Sequence, residues 1–496
     1  MQERIDNNIV GKKITTLSQV ASKSAFWSIF GALVRGMAGF FSIPILARLL
    51  TPQDFGVLAM AVWISGIVNL FAKFGLGEAL IQKKEINQEY LSTAFWVNVS
   101  SGFVLALGFL ILAPVASVFF KTPEVRPVMM VMSLNIVLIS LGSIHLTLLK
   151  KNLKFKIISW VEMFATLVRI AIVLILAFKG YGVWSIVFGM MAERLTLLLL
   201  WWGIARWRPI VYFSFSHFKK LFHFGKNLYG ENFLNFFNAN SDYLMAGRFF
   251  GAAELGFYNF AYSVPHLVLT YLSQTVTRIL FPIFSQVQDE NMRLRNGYIK
   301  TLTFISLISF PVLFGLMAVA PEFVRVFYGE KWTPVILPLQ ILCVCGMLKS
   351  IFHTMGSILN AKGRPDIGFK WNAVMLPITL GSLFIARSWG IVGIAVAMTL
   401  LAFLSFIPIK YFVIQLIDLK FSVFLKSLCP ALSGALLMYL GISGIKHFLL
   451  HSLDFSELVN LGILLFIGIL IYSLCIRLMW RNEFNDAKQF VVKMIK

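Results

Sequence analysis

Charge is scarce in this chain. Asp, Glu, Lys and Arg make up 13% of its 496 residues, about half the share of a soluble globular domain. That scarcity excludes a water-soluble globular protein. It also excludes a disordered chain, which needs few apolar residues and much charge. Acid is scarcer than base, 22 Asp and Glu against 44 Lys and Arg, for a net charge of +22. Cysteine is rare. Cys343, Cys345, Cys429 and Cys475 lie in or at the ends of apolar segments, which excludes a disulfide scaffold and reads them as small core residues. His145, His266 and His353 are scattered without ligand spacing, so no metal site is expected. The chain lacks a Walker phosphate loop, and no Gly-x-Ser-x-Gly, His-Glu-x-x-His or dinucleotide fingerprint stands in a suitable context. No catalytic residue, no enzyme activity and no cofactor are therefore expected.

What is abundant is apolar. Hydrophobic residues make up 58% of the chain, and the mean hydropathy is +0.80. A membrane helix takes about 20 mostly apolar residues. Fourteen such spans are legible: 26–47, 55–81, 91–113, 128–148, 157–178, 183–203, 226–246, 255–281, 299–320, 335–358, 370–386, 390–413, 428–445 and 458–476. The first 25 residues are polar, and no small-residue cleavage site follows a short apolar core, so the first span is expected to be retained. The connections are too short to house an extramembrane catalytic domain. On a soluble protein the positive balance would suggest nucleic acid; here it belongs to loops, and no nucleic acid partner is expected. With the N-terminus inside, and with Lys226, Lys300, Lys370 and Lys410 at span ends counted with the cytoplasmic loops they adjoin, the cytoplasmic side holds 29 of the 44 basic residues and the opposite side holds 9. The remaining six, Arg35, Lys73, Arg169, Arg194, Arg278 and Lys349, fall within spans. That bias predicts a multi-pass membrane protein with both termini cytoplasmic.

The chain also repeats itself. Ala47-Arg48-Leu49-Leu50-Thr51-Pro52-Gln53-Asp54-Phe55-Gly56 recurs in pattern as Gly247-Arg248-Phe249-Phe250-Gly251-Ala252-Ala253-Glu254-Leu255-Gly256, at an offset of 200. Tyr181-Gly182-Val183 is echoed by Trp389-Gly390-Ile391, and Gly142-Ser143-Ile144 by Gly356-Ser357-Ile358. Six spans separate the first copies, so both enter the membrane in the same direction, as in a parallel repeat. The expected fold is an all-α polytopic membrane protein of about 14 transmembrane helices. Two six-helix lobes, related by a pseudo-two-fold axis, are followed by two further helices. The expected parts are a cytoplasmic segment 1–25, an N-lobe 26–203, a cytoplasmic linker 204–225, a C-lobe 226–413, a loop with the last two helices 414–476, and a cytoplasmic tail 477–496. Duplicated lobes with little outside the bilayer suit a transporter that binds substrate between them and alternates access.

Polar residues inside the spans form stripes. In the seventh span Asn227, Glu231, Asn235, Asn238 and Asp242 share one helical face. In the first span Ser28, Gly31, Arg35, Gly39 and Ser42 do so, and adding 200 to 31, 35 and 42 reaches Glu231, Asn235 and Asp242. His266, Thr270, Ser273 and Thr277 line the eighth span, with Lys73 the repeat mate of Ser273. Charges at this depth must face protein or water. Arg35 and Lys73 are thus candidates for an anion site, with Asn235, Asn238, Ser273, Arg278 and Lys349 as further substrate contacts. The alternative for Arg35 is a pair with a neighbouring helix or with carbonyls. Glu162 and Arg169 share a face of the fifth span, Glu193 and Arg194 adjoin in the sixth, and the four are expected to neutralise one another as a structural lock. Glu231 and Asp242, about 16 Å apart along their helix, are candidates for binding a coupling Na⁺ or proton. Arg48 and Arg248 are expected to be structural, binding carbonyls at a helix end or pairing with Asp54 and Glu254. Gly56 and Gly256 complete that motif.

These residues resemble a known family. Leu46-Ala47-Arg48-Leu49-Leu50-Thr51-Pro52-Gln53-Asp54-Phe55-Gly56 is similar to the signature loop of Wzx-type polysaccharide exporters, as is Phe74-Gly75-Leu76-Gly77-Glu78-Ala79-Leu80-Ile81-Gln82-Lys83. Asn240-Ser241-Asp242-Tyr243, Gly329-Glu330-Lys331-Trp332 with Pro334, and Gly363-Arg364-Pro365 continue the likeness, which runs from about 22 to 425. It is nearest the colanic acid and teichuronic acid exporters, within the multidrug/oligosaccharidyl-lipid/polysaccharide exporter superfamily, whose MATE- and MurJ-like members have V-shaped lobes. The resemblance implies a flippase that carries an undecaprenyl-pyrophosphate-linked oligosaccharide to the outer leaflet of a bacterial cytoplasmic membrane. It implies membrane lipids and polysaccharide polymerase or assembly proteins as partners. A cation-coupled multidrug extruder or a lipid II flippase is the nearest alternative. A membrane glycosyltransferase or polymerase would need long loops or a loop-borne acidic pair, and neither is present.

Overall fold

The computed structural model describes residues 26–28, 30–72, 80–81, 87–215, 229–450 and 456–481. The chain divides into two compact units, 1–233 and 234–496. In the first unit the helices are α1 (Phe26–Leu49), α2 (Pro52–Ala72), α3 (Gln88–Phe120), α4 (Val125–Lys151), α5 (Phe155–Phe178) and α6 (Val183–Ala205). Their boundaries follow local chemistry. The Asn87 side chain accepts the Tyr90 N–H at 2.9 Å and starts α3. At its far end Lys121, in the left-handed conformation, closes the helix onto the carbonyls of Ser117 and Val118. Between, α3 runs 33 residues, about 50 Å, well beyond the apolar thickness of a bilayer.

The second run begins with α7 (Tyr229–Val268). Gly251 breaks it, with φ 82° and ψ −173°, a conformation open only to a residue without Cβ. The limbs 229–250 and 252–268 are therefore separate spans. A π-helical turn (Leu269–Gln274) leads into α8 (Thr275–Gln286). Then come α9 (Asn291–Ala318), the short α10 (Ala320–Phe327), a 3₁₀ turn (Glu330–Val335), α11 (Ile336–Ala361), α12 (Pro365–Ala386), α13 (Gly390–Leu404), α14 (Phe421–Ile445) and α15 (Glu457–Met479).

Among the described residues eleven segments are long and apolar enough to cross a membrane. Three expected spans are missing from that number, for two reasons. The segment Pro365–Leu416 is one of the eleven, although Gly390 at φ 67° divides it into two spans. The two limbs that lead from Tyr229 to Gln286 are the other two, and they are too polar, with Asp242, Asn259, His266 and their neighbours, to pass as purely apolar helices. All fourteen expected spans are helical where they are described.

Several motifs prove to be turn and cap devices. Trp332 of the Gly-Glu-Lys-Trp stretch is fully buried and packs on Phe260, ring centroids 4.1 Å apart. At Gly363-Arg364-Pro365, the Arg364 guanidinium grips Asp366 at 2.9 and 3.3 Å, and Pro365 opens α12. Beside it the Lys362 ammonium donates to Asn291 Oδ1 at 2.7 Å, and Asn291 in turn donates to Asp418 at 2.6 Å.

Candidate functional site

The repeat motif at the start of α2 is a capping box joined to a second helix. The Asp54 carboxylate accepts the Thr51 N–H at 2.8 Å and the Thr51 hydroxyl at 2.7 Å, while the Asp54 N–H reaches back to Thr51 Oγ1. That reciprocal pattern satisfies the open donors of a helix start. The second oxygen, Oδ1, accepts the Val183 N–H at 2.9 Å and so caps α6 as well. Gly182 sits at φ 52°, and a Cβ there would stand 2.7 Å from Asp54 Oδ1, so glycine is required by both conformation and space. Two motifs 129 residues apart thus form one joint. The carboxylate of Asp54 is engaged by these groups and not by Arg48. Its mate Glu254 makes no equivalent bond among the described residues. Gly56 and Gly256 are both buried in the turns that follow.

A ladder of alternating charge crosses α1, α5 and α6. Arg35 Nη1 lies 2.8 Å from Glu162 Oε2, each side chain 28% exposed. Arg169 Nε lies 3.3 Å from Glu193 Oε2, with exposures of 33% and 20%. Thr166 stands between, its hydroxyl 2.9 Å from the Glu162 carbonyl and 3.5 Å from Glu193 Oε1. The expected lock therefore forms with different partners: Glu162 turns to Arg35, and Arg194 takes part in no ion pair among the described residues. Helix α1 comes close to α5 through Gly31, where a Cβ would meet Ser159 Cβ at 2.8 Å. Ser159 donates to the Trp27 carbonyl at 2.8 Å and fastens the two helices.

In the second unit Asp242 is fully buried. It accepts the Tyr258 hydroxyl at 2.6 Å and the Tyr243 N–H at 3.0 Å. The Tyr243 hydroxyl donates to Asn259 at 3.1 Å. Tyr258 stacks on Tyr262, and Tyr262 on His266. Lys349 donates to the Tyr262 hydroxyl at 3.3 Å and lies over its ring. The polar stripe of the eighth span thus extends by two turns, from His266 through Tyr262 to Tyr258. These tyrosines belong to the site and were not among the expected residues; their spacing of four from His266 is the signal. Ser273 is buried within the π-helical turn.

Asn235 and Asn238 leave the Asp242 pocket for α12. Asn238 Nδ2 donates to the Asn372 carbonyl at 2.8 Å, and Asn372 Nδ2 donates to Asn235 Oδ1 at 2.6 Å. Such side-chain amides join helices inside a membrane. Lys73 lies outside the described residues, as do the side chains of Glu231 and Arg278. The structure brings together Asp242 and Lys349, through Tyr258 and Tyr262, and separately Asn235 and Asn238. It gives Arg35 a carboxylate.

The segment that follows α6, expected to open the linker, lies within the first unit and is strapped to α3. Gln88 Nε2 donates to the Arg208 carbonyl at 2.7 Å, Trp96 Nε1 to the Ile210 carbonyl at 2.9 Å, and the Ile210 N–H to Ser92 at 3.1 Å. His145, fully buried, stacks on Trp202 at 4.5 Å and holds the Trp207 carbonyl at 3.2 Å.

A family described as polysaccharide biosynthesis proteins matches residues 45–337. The chain is 31% identical to the lipopolysaccharide biosynthesis protein WzxC of Escherichia coli (strain K12), over 80% of this chain and 81% of that one. It is 26% identical to the teichuronic acid biosynthesis protein TuaB of Bacillus subtilis (strain 168), over 83% and 86%. Among solved structures it is similar to the lipid II flippase MurJ in an inward closed conformation, with a TM-score of 0.71 at 16% identity, covering 91% of this chain and 99% of that one. At that identity the likeness speaks for the fold.

Proposed function

Because this chain belongs to the family of polysaccharide biosynthesis proteins, we propose that it is a flippase for a lipid-linked oligosaccharide. The substrate is an undecaprenyl-pyrophosphate-linked repeat unit, carried from the cytoplasmic to the outer leaflet of the bacterial inner membrane by alternating access. The observation that carries this reading is Arg35. Its guanidinium sits about 14 Å into α1, part-exposed on a span and met by the Glu162 carboxylate alone, where a charge facing lipid would cost at least roughly 2.5–3.5 kcal/mol and so must face protein or water. A diphosphate presents pairs of oxygens that such a planar fork can grip bidentately.

The lobes 26–203 and 226–413 are the moving parts in this reading, with both termini cytoplasmic. Lys73, Ser273 and Arg278 join Arg35 in handling the substrate. Asn235 and Asn238 position α7 on α12 for the same task. Lys349, tied to Asp242 through the tyrosines, sets the charge of the second unit. Asp242 and Glu231 supply the coupling to a cation or proton. Polymerase and assembly proteins receive the product on the outer face.

The test is chemical. Removing the gene from its host and extracting the membrane lipids should reveal an accumulated lipid-linked oligosaccharide, cleared when the gene is restored. Unchanged lipids with unchanged surface polysaccharide would overturn the reading. Accumulated drug in place of accumulated lipid would favour a multidrug extruder.

A further inference from the structure

Two intramembrane ion pairs leave most of their donors unused. Arg35 meets Glu162 through Nη1 alone, and Arg169 meets Glu193 through Nε alone. No other acceptor for either guanidinium appears among the described residues. Each guanidinium carries five donors. A buried ion pair repays its desolvation only when its geometry is good and its remaining donors are satisfied. These pairs meet neither condition: the contacting nitrogens, Arg35 Nη1 and Arg169 Nε, lie near their carboxylates without forming an aligned hydrogen bond, and all four side chains keep a fifth to a third of their surface accessible. At this depth accessible charge has to face water, so an incoming anion can reach the unused donors.

We propose that Glu162 and Glu193 are resident anions, which hold Arg35 and Arg169 until a diphosphate displaces them, and that Arg169 is a second phosphate station. The inference rests on the lipid-diphosphate reading above. Exchange removes the main difficulty of moving a charged headgroup through a membrane. At no stage does a guanidinium stand unpaired, because the carboxylate returns as the phosphate leaves. The stations are ordered along one helix. Glu162 and Arg169 lie seven residues apart on α5, about 10 Å, with Thr166 between them offering its hydroxyl near Glu193 Oε1. The disubstituted diphosphate carries one negative charge on each phosphate, two in all against one for each carboxylate, and can engage the fork through two oxygens where the carboxylate uses one, so displacement runs in its favour.

The test uses the full-length protein in detergent and two probes, inorganic pyrophosphate and undecaprenyl pyrophosphate. Glu162→Gln and Glu193→Gln remove a resident charge while keeping shape. Each is expected to bind the lipid probe about tenfold more tightly than wild type, equivalent to about 1.4 kcal/mol. Adding Arg169→Gln should cancel the gain of Glu193→Gln and leave that of Glu162→Gln, since only the first pair is coupled. If the pairs serve folding alone, the Gln variants melt lower and bind no better, and the proposal is overturned while the substrate reading stands. If wild type and variants bind neither probe, both fall. Binding of the inorganic form only would overturn a lipid-borne source. Should Glu162→Gln fail to purify, Glu162→Asp withdraws the carboxylate from Arg35 and must shift affinity in the same direction.

Discussion

Asp54→Ala should destabilise the protein far more than Glu254→Ala, although the two residues are repeat mates. Asp54 accepts three hydrogen bonds and caps two helices, α2 and α6. On the Thr51 side the orphaned groups are exposed, water replaces the lost partner, and the cost is about 0.5–1 kcal/mol. On the Val183 side the residue is buried, with 9% exposure. An N–H stripped there of a charged acceptor costs about 1.5–3 kcal/mol. The sum is about 2–4 kcal/mol, which for a unit of this size corresponds to a fall in melting temperature of about 5–12 °C. Asp54→Asn keeps one accepting oxygen and should lose about half as much. Glu254→Ala should move the melt by less than about 2 °C, since no cap depends on it. The assay is thermal unfolding of the detergent-purified protein followed by tryptophan fluorescence. Equal losses for Asp54→Ala and Glu254→Ala, or a loss below 2 °C for the first, would refute the double cap.

Three further outcomes are expected. Asn372→Ala removes the amide that donates to Asn235 and leaves the main-chain carbonyl that Asn238 bonds, and should cost about 0.5–1.5 kcal/mol in thermal stability; full stability would show that the amide contact is incidental. Trp207→Ala removes the indole that donates to Gln88 at 2.6 Å and faces His145; trypsin should then cut after Arg206 and Arg208 several-fold faster, and an unchanged digestion pattern would contradict the strap. Arg35→Ala should abolish export, and because it strands Glu162 in the membrane it should also lower protein level; Glu162→Gln in the same chain should restore the level without restoring export, and recovered export would remove Arg35 from the transport machinery.

The spans were legible because twenty apolar residues in a row have few alternatives to crossing a membrane. The alternation of basic loops supports the count of fourteen, because one missed span would invert the bias beyond it. What the sequence could not carry was pairing between helices. Spacing placed Glu162 and Arg169 on one face of α5, yet nothing in a linear chain says that Glu162 turns to α1 while Arg169 turns to α6. Arg35 was recognised as a deep charge, but its partner stands 127 positions away. Asp54 and Gly182 each stood out as motif residues, and only the fold shows that one requires the other. The repeat itself suggested that Asp54 and Glu254 are equivalent. The fold separates them: Asp54 caps α2 and α6, while Glu254 makes no equivalent bond among the described residues. Tyr at helical spacing is ordinary in an apolar core, so the tyrosines around Asp242 carry no signal by themselves; their hydroxyls become informative only beside a buried carboxylate that needs donors.

The most direct measurement of the central claim is translocation itself. Purified protein in liposomes, given a fluorescently labelled undecaprenyl-pyrophosphate oligosaccharide in one leaflet, should move it to the other at a rate that depends on protein and falls to the protein-free level with Arg35→Ala. Transfer no faster than in empty liposomes, under imposed Na⁺ and pH gradients as well as without them, would contradict the account.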